Sequence, residues 1–411
     1  MISVEQALER VLEAVVPAVS ERVCLDQAHG RVLAEDVVAG LDLPPWDNSA
    51  MDGFAVVASD TTSVPARLAV AGVLMAGDTP QNSVQPGSCV RIMTGAPMPE
   101  GANAVVMFEN TDRGLEEVVI HKSVEPGRNV RNQGNDVSRG AVVMNRGRTL
   151  GAAEIGLLAA LGLPHVEVAR RPRIAVLSTG DEVVPVGTPL GPGQIHSSNT
   201  HALMALIEEA GAVGVNCGNV PDDPALLREA LARCVQEDLV VTTGGVSAGD
   251  HDFVKDAFEA HNAELSFWKV RVKPGKPLAF GHIGGKPAFG LPGNPVSCMV
   301  GFLQFVRPVI RSILGDSSPY LPVIQARLSA PLSKKPGRAL FARVALRLEE
   351  GEVRAVPVSN DSSGALMSMV GADGFALLGE GCTELSEGDS VEVQVFRWGW
   401  QNRVSGGLPW S

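Results

Sequence analysis

The sequence predicts an α/β multidomain protein, with a central α/β domain built on a mostly parallel sheet and small β modules before and after it. Three observations carry this. From residue 172 onward, apolar runs and amphipathic runs alternate at strand–helix spacing. Residues 53–140 and 320–400 instead hold short β-like runs broken by Gly and Pro. The chain has 411 residues, more than the ~250–300 at which single cores stop growing.

Taken in order, residues 3–18 have Ser3 and Gln6 at capping-box spacing and an apolar face of Val4, Leu8, Val11, Leu12 and Val15, which predicts a helix. "RVLAEDVVAGLDLP" predicts a strand ending in a proline-rich turn, and "PPWDNSAMDG" (44–53) a stiff loop offering Asp47 and Asp52. The runs "ARLAVAGVLMAG", "GSCVRIMTGAPMP", "ANAVVMFENT" and "LEEVVIHKSV" predict a small β domain. "GAAEIGLLAALGL" returns to helical spacing, and "ARRPR" (169–173) marks a boundary. After it come a strand in "RIAVLSTGDE", a helix in "SNTHALMALIEEAG" capped by Ser198 or Asn199, a helix in "DDPALLREALARCVQE", a buried strand in "DLVVTTGGVSAGD", and strand, turn and helix in "KPAFGLPGNPVSCMVGFLQFVRPVI". Residues 320–400 read as a second β module, a partial barrel.

Composition excludes several functions. A net charge of −12 opposes non-specific nucleic-acid binding. The six cysteines form no C-x-x-C pair, which argues against a thiolate zinc site and for reduced cytosolic thiols. The histidines form no HxH or HExxH pattern, no G-x-S-x-G occurs, and Cys298 falls in an apolar helix where it reads as core. No secretory signal and no uninterrupted apolar run of ~18 residues is visible, so no membrane span and a cytoplasmic location are expected.

In an open α/β sheet, ligands bind beyond the C-terminal strand ends. Three Gly-containing turns fall there: "STGDE" (178–182), "TTGGVSAGD" (242–250) and "LPGNPVS" (291–297). None is a P-loop or a GxGxxG fingerprint. "FWKVRVKPGKP" (267–277), read as a strand, would put Lys269, Arg271 and Lys273 on one face, with an anion as their natural partner. Asp181, Glu182, Asp222, Asp250 and Asp252 lie near these turns in sequence, and carboxylates beside phosphates usually mean Mg²⁺. Against this stand plainer readings: one Gly-rich turn is most often a tight connection, Asp222 could merely cap the helix it opens, Lys276 could be solvated, and His251 structural.

Together "PPWDNSAMDGFAV", "RIMTGAPMPEGANAVVMFENT", "RNQGNDV", "STGDEVV", "TTGGVSAGDHDFVK", "FWKVRVKPGKPLAFG" and "LPGNPVS" closely resemble the molybdopterin molybdenumtransferases, the MoeA or gephyrin E-domain family, over nearly the whole chain. The third segment alone also resembles the molybdopterin adenylyltransferases. The resemblance implies a discontinuous N-terminal domain (1–45 and 141–171), an inserted β domain (46–140), an α/β molybdopterin-binding domain (172–317) and a C-terminal β-barrel domain (318–411). It implies a homodimer that takes adenylated molybdopterin and molybdate, uses Mg²⁺, and gives molybdenum cofactor and AMP. It also implies contact with the adenylyltransferase and with molybdoenzyme maturation factors.

By the same resemblance Asp52, Thr94, Asp136, Glu182, Asp222, Asp252, Lys269 and Lys273 are candidate catalytic residues, with Glu182 and Asp252 toward the metal. Substrate binding falls to Arg131, Thr243, Gly244, Gly245, Ser247, Lys276, Pro292, Gly293, Asn294, Pro295, Ser297, Arg343 and Ser363. Asp52, Thr94, Arg131 and Asp136 would come from the other subunit. Phe54, Asn135 and His196-Ser197 depart from the family's commoner Tyr, acid and Tyr-Asp. An adenylyltransferase and a receptor-organising scaffold are the competing readings, and molybdate-dependent AMP release separates the transferase from both.

Overall fold

The computed structural model describes residues 1–81, 83–245 and 264–399. The chain forms two compact units. One comprises Met1–Glu21, Gly30–Ala34 and Val168–Ser411, the other Arg22–His29 and Glu35–Glu167.

The first helix, α1 (Val4–Glu13), opens with the expected reciprocal cap. The Ser3 hydroxyl accepts the Gln6 amide, and the Gln6 side chain accepts the Ser3 amide, both at 3.1 Å. It ends well short of residue 18, because the residues ahead of Pro17 are driven out of the helical region.

The second unit centres on a five-stranded sheet of β1 (Gly53–Val56), β2 (Ala66–Leu74), β3 (Ser88–Ile92), β4 (Ala104–Met107) and β5 (Glu117–Ile120), in the order β4-β1-β3-β2-β5. β1 is buried along its whole length, so the stretch after "PPWDNSAMD" is core. Phe54 is fully buried and meets Phe108 edge-on, an environment that suits a ring without a hydroxyl. The strand expected in "RVLAEDVVAGLDLP" shrinks to Val37–Val38, paired with Val142–Met144. The helix α2 (Ala152–Ala160) starts where Glu154 turns back to accept the Gly151 amide at 3.0 Å.

The first unit holds the α/β layer. Its elements are β6 (Arg173–Thr179), α3 (Ser198–Glu209), β7 (Val213–Val220), α4 (Pro224–Cys234), β8 (Leu239–Thr243), β9 (Glu264–Lys269), β10 (Pro277–Ile283), β11 (Lys286–Leu291) and α5 (Pro295–Ile313). The sheet order is β7-β6-β8-β11-β10-β9. The first four strands are parallel, β10 runs antiparallel to β11, and β9 pairs antiparallel with β10 at the far edge. α5 is long and apolar enough to cross a membrane, but it is mostly buried in this domain's core, where Phe302, Phe305 and Ile310 pack with Phe280 and Phe289.

The C-terminal module is a closed barrel rather than a partial one. Its strands are β12 (Val323–Leu328), β13 (Ala339–Glu349), β14 (Glu352–Pro357), β15 (Gly374–Leu378) and β16 (Ser390–Val395). The ring runs β13-β14-β12-β16-β15 and closes by pairing β15 with β13, which leaves no open edge.

The run "FWKVRVKPGKP" is not one strand. β9 ends at Lys269, and Val272–Lys273 leaves the α/β sheet to pair with β13 of the barrel. Pro277 then opens β10, the strand that pairs back against Lys269. Arg271 therefore does not share a ligand-facing row with the lysines. Its Nε sits 2.9 and 2.8 Å from the two carboxylate oxygens of Glu380.

A Cβ on Gly53 would lie 1.9 Å from the Val106 carbonyl oxygen, at the end of the β1–β4 pairing. Gly53→Ala is expected to destabilise the second unit by about 2–3 kcal/mol, read as an earlier unfolding transition; an unshifted transition would contradict this packing.

Candidate functional site

The parallel strands β6, β8 and β11 end level with one another, since Ser178 pairs with Thr243 and Thr243 with Leu291. The three Gly-containing turns that follow them line one cleft of about 440 Å³. Of the candidate residues, Glu182, Asp222, Thr243, Gly244, Gly245, Pro292, Gly293, Asn294 and Pro295 line it. Ser247 and Asp252, with Asp250 and His251, lie outside the described residues.

Glycine makes the turns possible. Gly244 has φ +93°, and a Cβ there would lie 2.5 Å from the Thr179 carbonyl oxygen. Gly180, at φ +132°, leaves space for the Glu182 carboxylate, whose Oε2 lies 2.4 Å from where a Cβ would stand. Asn219 braces the same turn, donating to the carbonyls of Gly180 at 3.2 Å and Val183 at 3.0 Å.

Several groups expected to face a ligand are already engaged. The Gly244 amide donates to the Leu291 carbonyl at 3.2 Å. The Thr243 hydroxyl lies 3.3 Å from the Pro292 carbonyl and accepts from Asn199. Thr243 and Gly244 thus act as struts between turns.

The acids divide by role. Asp223, not Asp222, caps α4: its carboxylate accepts the amides of Ala225 at 2.8 Å and Leu226 at 3.0 Å. Asp222 is left to line the cleft, and its own amide donates to Asp181 at 3.1 Å. Burial, and then the carboxylates of Asp181 and Glu182, push the Asp222 carboxyl above its ordinary range.

Lys269, Lys273, Lys276, Ser297, Arg343 and Ser363 do not line the cleft but are tied to its rim. Pro277, next to Lys276, lines it. Ser297 is buried at the start of α5 and packs on the lysine turn through Gly275. The neighbouring Val296 amide donates to the Ser363 carbonyl at 3.1 Å, which brings a barrel loop to the end of the cleft. In that barrel region Lys273 lies 3.5 Å from Asp361. Arg343 is buried and donates to the Ser362 carbonyl at 3.1 Å and to the Ser368 hydroxyl. Burial lowers its guanidinium from the usual range, with the Asp361 carboxylate opposing.

In the second unit, Asp52 accepts both the amide and the hydroxyl of Thr94, at 2.7 and 2.8 Å, and these bonds hold its carboxyl below the usual range. Arg131 is exposed on the short strand that pairs with Asn48–Ser49, and Asp136 is exposed with its amide on the Leu43 carbonyl. Asp47 shapes the loop by accepting the Gln133 amide at 2.7 Å.

The cleft also contains polar residues absent from the candidate set, Asn199 and Thr179 among them. Asn199, expected as a helix cap, donates from one side-chain nitrogen to Thr243 Oγ1 at 2.9 Å and to the Gly293 carbonyl at 2.8 Å. Thr179 is 4% exposed, lines the cleft, and has a buried Oγ1 with no hydrogen-bond partner among the described residues. Nothing local marks either one, because Asn and Thr at turns are ordinary.

Three family descriptions match the chain in order: the MoeA N-terminal region (domain I and II) over residues 2–162, a probable molybdopterin binding domain over 175–312, and the MoeA C-terminal region (domain IV) over 325–396. Molybdopterin molybdenumtransferase 2 of Mycobacterium tuberculosis is 41% identical, covering 90% of this chain and 93% of that protein. The chain belongs to the MoeA family of molybdopterin molybdenumtransferases. The Haemophilus influenzae member is 37% identical over 96% of this chain and 99% of its own length. The solved molybdopterin biosynthesis MoeA protein of Pyrococcus horikoshii OT3 superposes with a TM-score of 0.84 at 29% identity, covering 96% of this chain and 100% of that one. In family terms the cleft lies in the molybdopterin-binding match, while Arg343 and Ser363 fall in the C-terminal match and Asp52, Thr94, Arg131 and Asp136 in the N-terminal one.

Adjacent acids should separate in a stability measurement. Asp223→Ala, which removes the α4 cap, is expected to cost about 1 kcal/mol, whereas Asp222→Ala should leave the melting temperature unchanged or slightly raised. Equal losses for both would refute the division.

Proposed function

We propose that this protein takes adenylated molybdopterin and molybdate, transfers molybdenum to the dithiolene, and releases AMP. The observation that carries the reading is the cleft itself: acids on one wall, the start of α5 on the other, and a buried arginine with lysines beyond its rim. α5 runs for 19 residues, and its positive end meets the cleft at Asn294 and Pro295, a natural seat for phosphate oxygens.

Mg²⁺ suits the donors present. Among the described residues no group of three acid, His or Cys side chains could hold an ion unaided. Mg²⁺ needs no such cage, since it is usually held by one or two carboxylates with waters and substrate phosphates. Glu182 and Asp222 would supply those carboxylates, with Asp252 as a further candidate; burial and then the neighbouring carboxylates raise Asp222, and a cation would relieve the second of these. When bound, the ion neutralises charge on the phosphates during anhydride cleavage. Asn199 and Thr243 fix the spacing of the two turns that flank the substrate. Thr179, whose buried Oγ1 has no hydrogen-bond partner among the described residues, stands beside the substrate space. Lys269, Lys273 and Lys276 balance substrate charge, and Arg343, Ser297 and Ser363 form the end suited to molybdate, a tetrahedral dianion that wants cationic and hydroxyl donors.

A second copy of the chain would complete the site with Asp52, Thr94, Arg131 and Asp136, in a homodimer. The Asp52–Thr94 pair supports this: it is exposed yet fixed in one geometry. A cytoplasmic location fits the six unpaired cysteines.

AMP release from adenylated molybdopterin that requires molybdate is the deciding assay, and pyrophosphate release from ATP in the presence of molybdopterin would favour an adenylyltransferase instead. Asn199→Ala is expected to lower kcat/KM about 10–100-fold through misplacement of the turns, with little added loss in the Asn199→Ala/Thr243→Ala double variant; additive losses would contradict a shared strut. For pH, Mg²⁺ binds only the ionised Asp222, whose raised titration means protons compete sooner as pH falls. The Mg²⁺ concentration for half-maximal activity should therefore rise on mild acidification in the native protein and rise less steeply in Asp222→Asn. Identical slopes would remove Asp222 from the metal.

A further inference from the structure

The thiols outside the cleft are not alike. Cys89 and Cys298 are buried singly, and burial pushes both up to about 12, which makes them inert. Cys217 and Cys234 form a pair.

Cys217 lies on β7, the edge strand of the α/β sheet, at a bulge. Val176 pairs with Asn216 but Ser178 pairs with Asn219, so Cys217 and Gly218 together stand opposite Leu177. Gly218 takes φ +90°, and its amide is held by the Asn216 side chain at 2.9 Å. At this bulge Cys217 packs against the small apolar cluster that contains Cys234, Leu177, Leu227 and Leu231. Cys234, the last residue of α4, is fully buried there, while Cys217 is half-buried. The Cys217 thiol donates to the Val215 carbonyl at 3.7 Å, and Cys234 belongs to the cluster on which Cys217 packs. The neighbouring Cys234 thiol is the main influence that brings Cys217 down to about 7, against burial, with Arg233 favouring and Glu237 opposing the Cys217 thiolate, and Cys217 in turn pushes Cys234 up.

We propose that Cys217 and Cys234 are a reversible oxidation site, at which Cys217 reacts with a hydroperoxide and Cys234 resolves the product to a disulfide. The placement suits the two roles: the half-buried thiol is the one a small peroxide reaches, and the buried partner belongs to the cluster on which that thiol packs. In the first step the Cys217 sulfur forms a bond to one peroxide oxygen while the O–O bond breaks. The leaving hydroxide (or alkoxide) takes up the thiol proton, so the sulfur is oxidised to a sulfenic acid and the peroxide is reduced. In the second step the Cys234 sulfur bonds to the Cys217 sulfur and the S–O bond breaks. That hydroxide leaves as water with the Cys234 proton. The segment closed by the disulfide contains Asp222, which lines the cleft, and Asp223, which caps α4. The site therefore joins the two ends of the loop that carries a cleft acid.

The test uses the full-length reduced protein with stoichiometric hydrogen peroxide, followed by alkylation, intact mass and non-reducing peptide mapping. A single cross-linked peptide joining Cys217 to Cys234 is expected, with a mass loss of one hydrogen pair, reversed by dithiothreitol. With Cys234→Ala, dimedone should label Cys217. If both cysteines remain free to alkylation while the exposed Cys24 is oxidised, the proposal is wrong. Should Cys234→Ala fail to fold, the mapping of the unmodified chain still decides the matter.

Discussion

The cleft depends on a backbone approach that a side chain would forbid. Gly244 passes so close to the Thr179 carbonyl that a Cβ would sit 2.5 Å from it, and the Gly244 amide then reaches the Leu291 carbonyl at 3.2 Å. Two turns from neighbouring strands are thereby locked at one height. Asn199 adds the third constraint from α3, spanning Thr243 and Gly293 with one side-chain nitrogen. Because β6, β8 and β11 are parallel and in register, these contacts form at a single end of the sheet, where the strands leave a crevice.

Around this frame charge is sorted by neighbours. Asp222 and Asp223 are adjacent, yet one lines the cleft with its ionisation made difficult and the other is spent on the α4 amides. Arg271 and Lys273 are also close in sequence, yet Arg271 is neutralised by Glu380 while Lys273 makes a looser contact, 3.5 Å, with an exposed Asp361. The barrel's closure matters here, because its strand β13 draws Val272–Lys273 away from the α/β sheet and its Ser363 loop meets the start of α5.

The second unit follows the same economy of polar groups. Asp47 and Asp42 are consumed in holding the loop against residues 133–139, whereas Asp52 is fixed by Thr94 and remains exposed. The two acids of the loop "PPWDNSAMDG" have different partners, and the buried strand β1 follows directly after it.

The sequence by itself determined the fold class, the three turns, the capping box of α1 and the core character of Cys298, because each is written in local spacing and residue type. Tertiary structure alone decided which member of Asp222-Asp223 caps a helix, that "FWKVRVKPGKP" divides between two sheets, and that Thr243 and Asn199 are struts. Those outcomes are set by partners far away in the chain: Gly293 for Asn199, Glu380 for Arg271, and strand β13 for Val272–Lys273. A one-dimensional pattern records which side chains can form hydrogen bonds, and only the folded chain determines which of them are left free for a ligand.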